Sequence, residues 1–169
     1  MGRRMRTPMK FPPAVNKSKV GTYPAATYGG GGYVWDEVLE YRVWCHPEDG
    51  GDDYFYAFAT FEEAAERCRN TKGAEEPLAL ILQKEYIDEP APGKYRHVRR
   101  RRITEWAVEH LSRPKRNKRT IPDFLSRSAP PNRLDIIRGK AKPRVGGAQP
   151  GVAAAAERVH RSSPSRARR

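Results

Sequence analysis

Acidic side chains are missing from residues 1–32, and residues 113–169 hold only three. Neither end can therefore neutralise its own positive charge. Cysteine is almost as scarce: Cys45 and Cys68 are the only two, and they fit no CxxC spacing. That excludes a disulfide scaffold and leaves two reduced thiols, as expected of a cytoplasmic protein. Long apolar runs are absent too. The longest aliphatic stretch, Leu78-Ala-Leu-Ile-Leu82, is far short of the ~18 residues that cross a bilayer. The basic N-terminus has no apolar stretch of the kind that makes a secretory signal, so neither a membrane partner nor export is expected.

What is present is concentrated in the middle. The net charge of +13 is the sum of +6 over residues 1–32, −6 over 33–112 and +13 over 113–169. All three tryptophans, Trp35, Trp44 and Trp106, lie in the acidic segment. About 80 residues are just enough to hold a core without metal or disulfides. The flanks are rich in Arg, Lys, Pro, Gly, Ala and Ser. They have too little apolar surface to offset the entropy of ordering. The expected organisation is thus a basic disordered N-terminal tail (1–32), an acidic domain (33–112) and a basic, largely disordered C-terminal tail (113–169).

Within the domain, Leu39, Tyr41, Val43 and Cys45 alternate with Glu40, Arg42 and Trp44, which predicts a strand with one buried face. Turn formers over 46–53 and the ring-rich run Tyr54–Ala59 complete a hairpin. Thr60 and Glu63 form a capping box ahead of Phe61, Ala64, Ala65 and Cys68, an apolar helical stripe. Leu78–Tyr86 and Ile103–Glu109 read as further strands. The order β-β-α-β-β predicts a small α+β fold: one mostly antiparallel sheet with a single helix across one face.

Few residues suggest chemistry. Cys45-His46 would point to opposite faces of a strand, so the pair reads as a core thiol beside a surface imidazole rather than a catalytic dyad. Glu48, Asp49, Asp52 and Asp53 lack cation-loop spacing and read as a solvated turn. His46, His97, His110 and His160 share no zinc-ligand spacing. Gly29–Gly32 has no helix after it and reads as a hinge, not a phosphate loop. Trp35, Trp44, Arg99, Arg100, Arg101 and Arg102 form the candidate interaction surface for a protein partner. Lys115, Arg116, Lys118 and Arg119 form the candidate nucleic-acid contact, one that would neutralise phosphates with little sequence reading. Ile121-Pro-Asp-Phe-Leu125, the apolar island of the C-terminal tail, is expected to dock on the domain or on a partner.

The stretch Tyr33-Val-Trp-Asp-Glu-Val-Leu-Glu-Tyr-Arg-Val-Trp-Cys-His-Pro-Glu-Asp-Gly50 resembles a group of short bacterial proteins labelled as GNAT-type acetyltransferases. The resemblance continues through Tyr54–Thr60, Gly73–Leu80 and Arg102–Trp106, covering about residues 33–125. It implies acetyl-CoA as cofactor. The family's pyrophosphate turn, Gln/Arg-x-x-Gly-x-Gly/Ala opening a helix, has no counterpart here, so no catalytic residue carries over. The residues themselves favour a non-catalytic interaction module without cofactor or metal. An acetyltransferase, or an accessory to one, and non-specific nucleic-acid binding through the tails stand as the alternatives.

Overall fold

The alternation of β2 (Glu37–Cys45) places Tyr41, Val43 and Cys45 on one face of a sheet. The structure, a computed structural model, describes residues 10–142. Besides β2 it contains β1 (Tyr28–Gly29), β3 (Tyr54–Phe58), β4 (Leu78–Gln83), β5 (Tyr86–Ala91), β6 (Lys94–Val98) and β7 (Arg102–Ala107). The helices are α1 (Phe61–Arg69), α2 (Thr120–Leu125) and α3 (Arg133–Ile137). Five strands form a mixed sheet in the order β1-β7-β4-β2-β3, antiparallel except where β1 joins β7. Strands β5 and β6 form a separate two-stranded sheet. The architecture is α+β with one main helix.

Helix α1 starts where its cap predicts. Glu63 N donates to Thr60 Oγ1 at 3.3 Å, and Thr60 N donates to Glu63 Oε2 at 3.2 Å. Phe61, Ala64 and Cys68 of the helix join a core built by Val38, Tyr41, Val43, Cys45, Ala79, Ile81 and Trp106. A β-bulge between Val38 and Glu40 breaks the simple alternation, so Val38 joins this core while Leu39 turns to the opposite face with Leu80 and Leu82. An extra residue in one strand reverses which side chains face inward, and this inverts Val38 and Leu39 against the sequence pattern.

The predicted solvent face of β2 is not solvated. Glu40 and Arg42 are both 0 % exposed. Arg42 pairs with Glu40 at 2.7 Å and with Glu105 at 2.9 Å, and donates to the carbonyls of Pro24 and Ala25. Gly21 N closes the network on Glu40 Oε2 at 2.7 Å. This cover comes from the segment expected to be a disordered tail. On the other face, Phe11 packs edge-on against Phe61 at 4.6 Å, Ala14 is buried, and the Tyr41 hydroxyl donates to the carbonyl of Pro12.

The C-terminal boundary moves for a similar reason. Val34 and Ile87 leave an apolar patch beside the β5–β6 hairpin, and Ile121, Phe124 and Ile137 cover it. Gly139, at φ +72°, ends α3 where a Cβ would lie 2.3 Å from the Ser112 carbonyl oxygen, so only glycine permits that approach. Residues 10–32 and 113–142 therefore belong to the folded body. The parts of the two tails at 1–9 and 143–169 lie outside the described residues. The single strand expected over Leu78–Tyr86 is two strands, broken where Lys84 N donates to Asp36 Oδ2 at 2.6 Å. No helix among the described residues is long and apolar enough to cross a membrane.

Candidate functional site: a basic cleft beside the second sheet

The tryptophans separate first. Trp35 is buried in the α1-facing core at 9 % exposure, and its indole N–H donates to the Arg113 carbonyl at 2.9 Å. It is a packing residue, and its assignment to an interaction surface is corrected. Trp44 lies on the opposite face of β2, as its alternation requires. It is half-buried there, held by a 3.1 Å bond from its indole N–H to Glu105 and by the Phe55 ring 4.9 Å away.

The arginine run is divided by the start of β7. Arg99, Arg100 and Arg101 are exposed in the β6–β7 connection. Arg102 is partly buried, its guanidinium 3.6 Å from the centroid of Tyr86 and its Nε donating to Gln83 Oε1 at 2.6 Å. The basic cluster of the C-terminal segment divides too. Arg116 faces inward, paired with Asp36 at 2.8 Å and Glu85 at 3.5 Å. The bond to Asp36 raises its pKa further. Trp35 O also accepts from Arg116 N at 2.7 Å, so this residue pins the segment instead of meeting a ligand.

Lys115, Lys118 and Arg119 do come together. With Pro114, Asn117, Thr120, Asp123, Phe124, Pro130, Arg133, Ile136 and Ile137 they line a cavity of about 810 Å³. The loop leading into α2 supplies one wall and α3 the other. Asn117 holds that loop through bonds from Arg119 N and Thr120 N to its Oδ1, at 2.8 and 3.1 Å. Arg133 Nη1 donates to the Phe124 carbonyl at 2.8 Å, tying the walls together. The single carboxylate of the lining, Asp123, sits 3.5 Å from Arg119. The result is an apolar floor under a rim of net positive charge. Sequence reasoning missed the α3 wall, Arg133, Ile136 and Ile137. Its signal was the spacing of Leu134 and Ile137 within a segment whose charge and proline content suggested disorder.

The remaining polar groups are placed as follows. Cys45 is buried and His46 exposed, so they form no dyad. No group of three or more His, Cys, Asp or Glu among the described residues is placed to hold a metal ion. His46 instead bridges two carboxylates, Asp53 at 2.7 Å and Glu75 at 2.8 Å. These bonds, Asp53 first, raise its pKa above 6.5. The imidazolium therefore adds stability that is complete below that value and is lost as pH rises through the raised one. His110 works in the opposite sense. Burial, then Arg113, lowers its pKa, so its contribution is lost as pH falls below 6.5. Thermal melts should show stability declining from about pH 6.5 upward in the native chain, and a flatter profile there in His46→Asn. An unchanged profile in that variant would place the upward loss elsewhere.

Gly29–Gly32 is not a hinge. Gly30, Gly31 and Gly32 adopt φ of +55°, +89° and +88°, and the Gly31 carbonyl accepts from Gln83 and from the Trp106 indole, both at 3.1 Å. A Cβ on Gly32 would lie 2.2 Å from the Gln83 amide. This is a fixed loop against the sheet. Compared with protein-family models, curated proteins and solved structures, the chain matches none of them.

Proposed function

We propose that the protein is a binding module that takes an acidic, apolar-anchored segment of a protein partner into the cleft between the 114–120 loop and α3. One observation supports this most: the cavity of about 810 Å³ combines the apolar floor of Phe124, Ile136 and Ile137 with the cationic rim of Lys115, Lys118, Arg119 and Arg133. Apolar anchors in such a groove supply affinity, while opposite charge steers the encounter and fixes orientation. A phosphodiester backbone would use the rim but leave the apolar floor unused. The two free thiols, Cys45 and Cys68, fit a cytoplasmic setting for such a partner.

The test is fluorescence anisotropy with labelled peptides of about 15 residues carrying Leu and Phe at helical spacing among Glu and Asp. A lysine-for-glutamate version and an oligothymidylate of similar length serve as comparisons. The acidic peptide should bind best. Lys118→Glu combined with Arg119→Glu should weaken it at least about tenfold, roughly 1.4 kcal/mol, with an unchanged melting temperature because both side chains are exposed. Preference for the oligonucleotide with a steep salt dependence would favour the nucleic-acid reading instead. The acetyltransferase reading has its own signature. Acetyl-CoA at about 100 times its dissociation constant would add ~2.7 kcal/mol of stability, and that gain would persist in the charge-reversed variant.

A further inference from the structure

A second cavity, of about 360 Å³, lies beneath the glycine loop, lined by Gly30, Gly31, Gly32 and Tyr33 and by Arg102, Arg113 and Arg138. Asp88 and Glu89 also line it. Each carboxylate is already engaged. Asp88 pairs with Arg96 at 2.7 Å, and Glu89 accepts from the Tyr33 hydroxyl at 2.8 Å and from Gly93 N at 2.9 Å. The three arginines have no such relief: none makes a salt bridge among the described residues.

Arg113 is held by rings, 5.1 Å from the centroid of Trp106 and 5.5 Å from that of Tyr33, and Arg138 lies 5.9 Å from the same Tyr33 ring. Burial lowers the pKa of both Arg102 and Arg113, the direction expected of cations partly removed from water. A partly desolvated guanidinium without a carboxylate is costly, and its planar fork of donors suits oxyanions.

The backbone points the same way. The N–H groups of Gly31, Gly32 and Tyr33 have no hydrogen-bond acceptor among the described residues. Tyr33 is the one non-glycine residue among them with positive φ, at +63°. Such a conformation costs free energy and tends to persist where it serves a site. Successive backbone N–H groups at a glycine-rich bend form anion-binding concavities.

We propose that the Gly30–Tyr33 loop with Arg102, Arg113 and Arg138 forms a binding site for a dianionic phosphate group. Its source is either inorganic phosphate or a small phosphate monoester. The volume of about 360 Å³ leaves room for both. The site is independent of the basic cleft, since the two cavities share no lining residue.

The test titrates the full chain by calorimetry with inorganic phosphate, adenosine 5′-monophosphate and, as the control, sodium chloride at matched ionic strength. Saturable binding of either phosphate is expected, at least about tenfold weaker in Arg138→Gln. Arg113→Lys keeps the charge but loses the two-pronged donor geometry, so it should also weaken binding while the ligand-free melting temperature holds. Tighter binding of inorganic phosphate names the free ion as the source, and tighter binding of the monophosphate names the ester. Absence of binding at about 10 mM phosphate, or binding that both arginine variants leave unchanged, overturns the proposal. Lys118→Glu with Arg119→Glu should leave phosphate binding intact, which separates failure here from failure of the cleft.

Discussion

Arg42→Leu is expected to destabilise the protein by about 3–5 kcal/mol, the usual cost of removing one partner from a buried ion pair. The reason lies in what would remain. Glu40, with no exposed surface, would keep a single donor, Gly21 N, and Glu105 would lose its closest cation. The Pro24 and Ala25 carbonyls would lose their donors as well, loosening the segment that covers this face. Urea unfolding followed by far-ultraviolet circular dichroism measures the loss. With typical stabilities near 5–15 kcal/mol, the variant would sit close to the threshold of folding. Combining Arg42→Leu with Glu40→Leu should recover part of the deficit, because an apolar pair of similar volume leaves no buried charge on β2. A single variant within about 1 kcal/mol of the native chain would mean that water reaches Glu40.

Trp35→Ala should cost about as much, roughly 3–5 kcal/mol, as large-to-small changes of buried aromatic residues do. Here the loss has a second part. The indole bond to the Arg113 carbonyl would go, leaving the start of the C-terminal segment held by Arg116 and by the α2–α3 packing. Trypsin should therefore cut the variant faster after Lys115 or Arg116 than it cuts the native chain. Trp44→Ala should cost less, since Trp44 is half-buried and Arg42 still pairs with Glu105. Equal effects of the two substitutions would contradict the packing described for Trp35.

The difference between these tryptophans shows where sequence reading succeeds and where it stops. Period-two alternation located β2 and put Trp44 opposite Tyr41 and Val43, because a strand's backbone alone decides which way successive side chains point. The cap at Thr60 and Glu63 located α1 for an equally local reason. Trp35 lies just before β2, where no periodicity applies, and only the arrival of the segment carrying Arg113 and Lys115 buries it. The four arginines from Arg99 look equivalent in one dimension. Three are loop residues, and the fourth enters β7 beneath Tyr86.

By itself the sequence determined β2, β3 and β7, the main helix and its cap, the α+β class and the position of the cationic cluster, all of which depend on neighbours a few residues apart. Tertiary structure alone decided that Glu40 and Arg42 are interior, that residues 10–32 and 113–142 complete the body, and that the glycine run meets three arginines. Those outcomes depend on which uncovered surface each segment finds. A flank with few apolar side chains orders readily when the sheet presents it with buried charges to satisfy and a small patch to cover, and composition averaged along the chain does not register either.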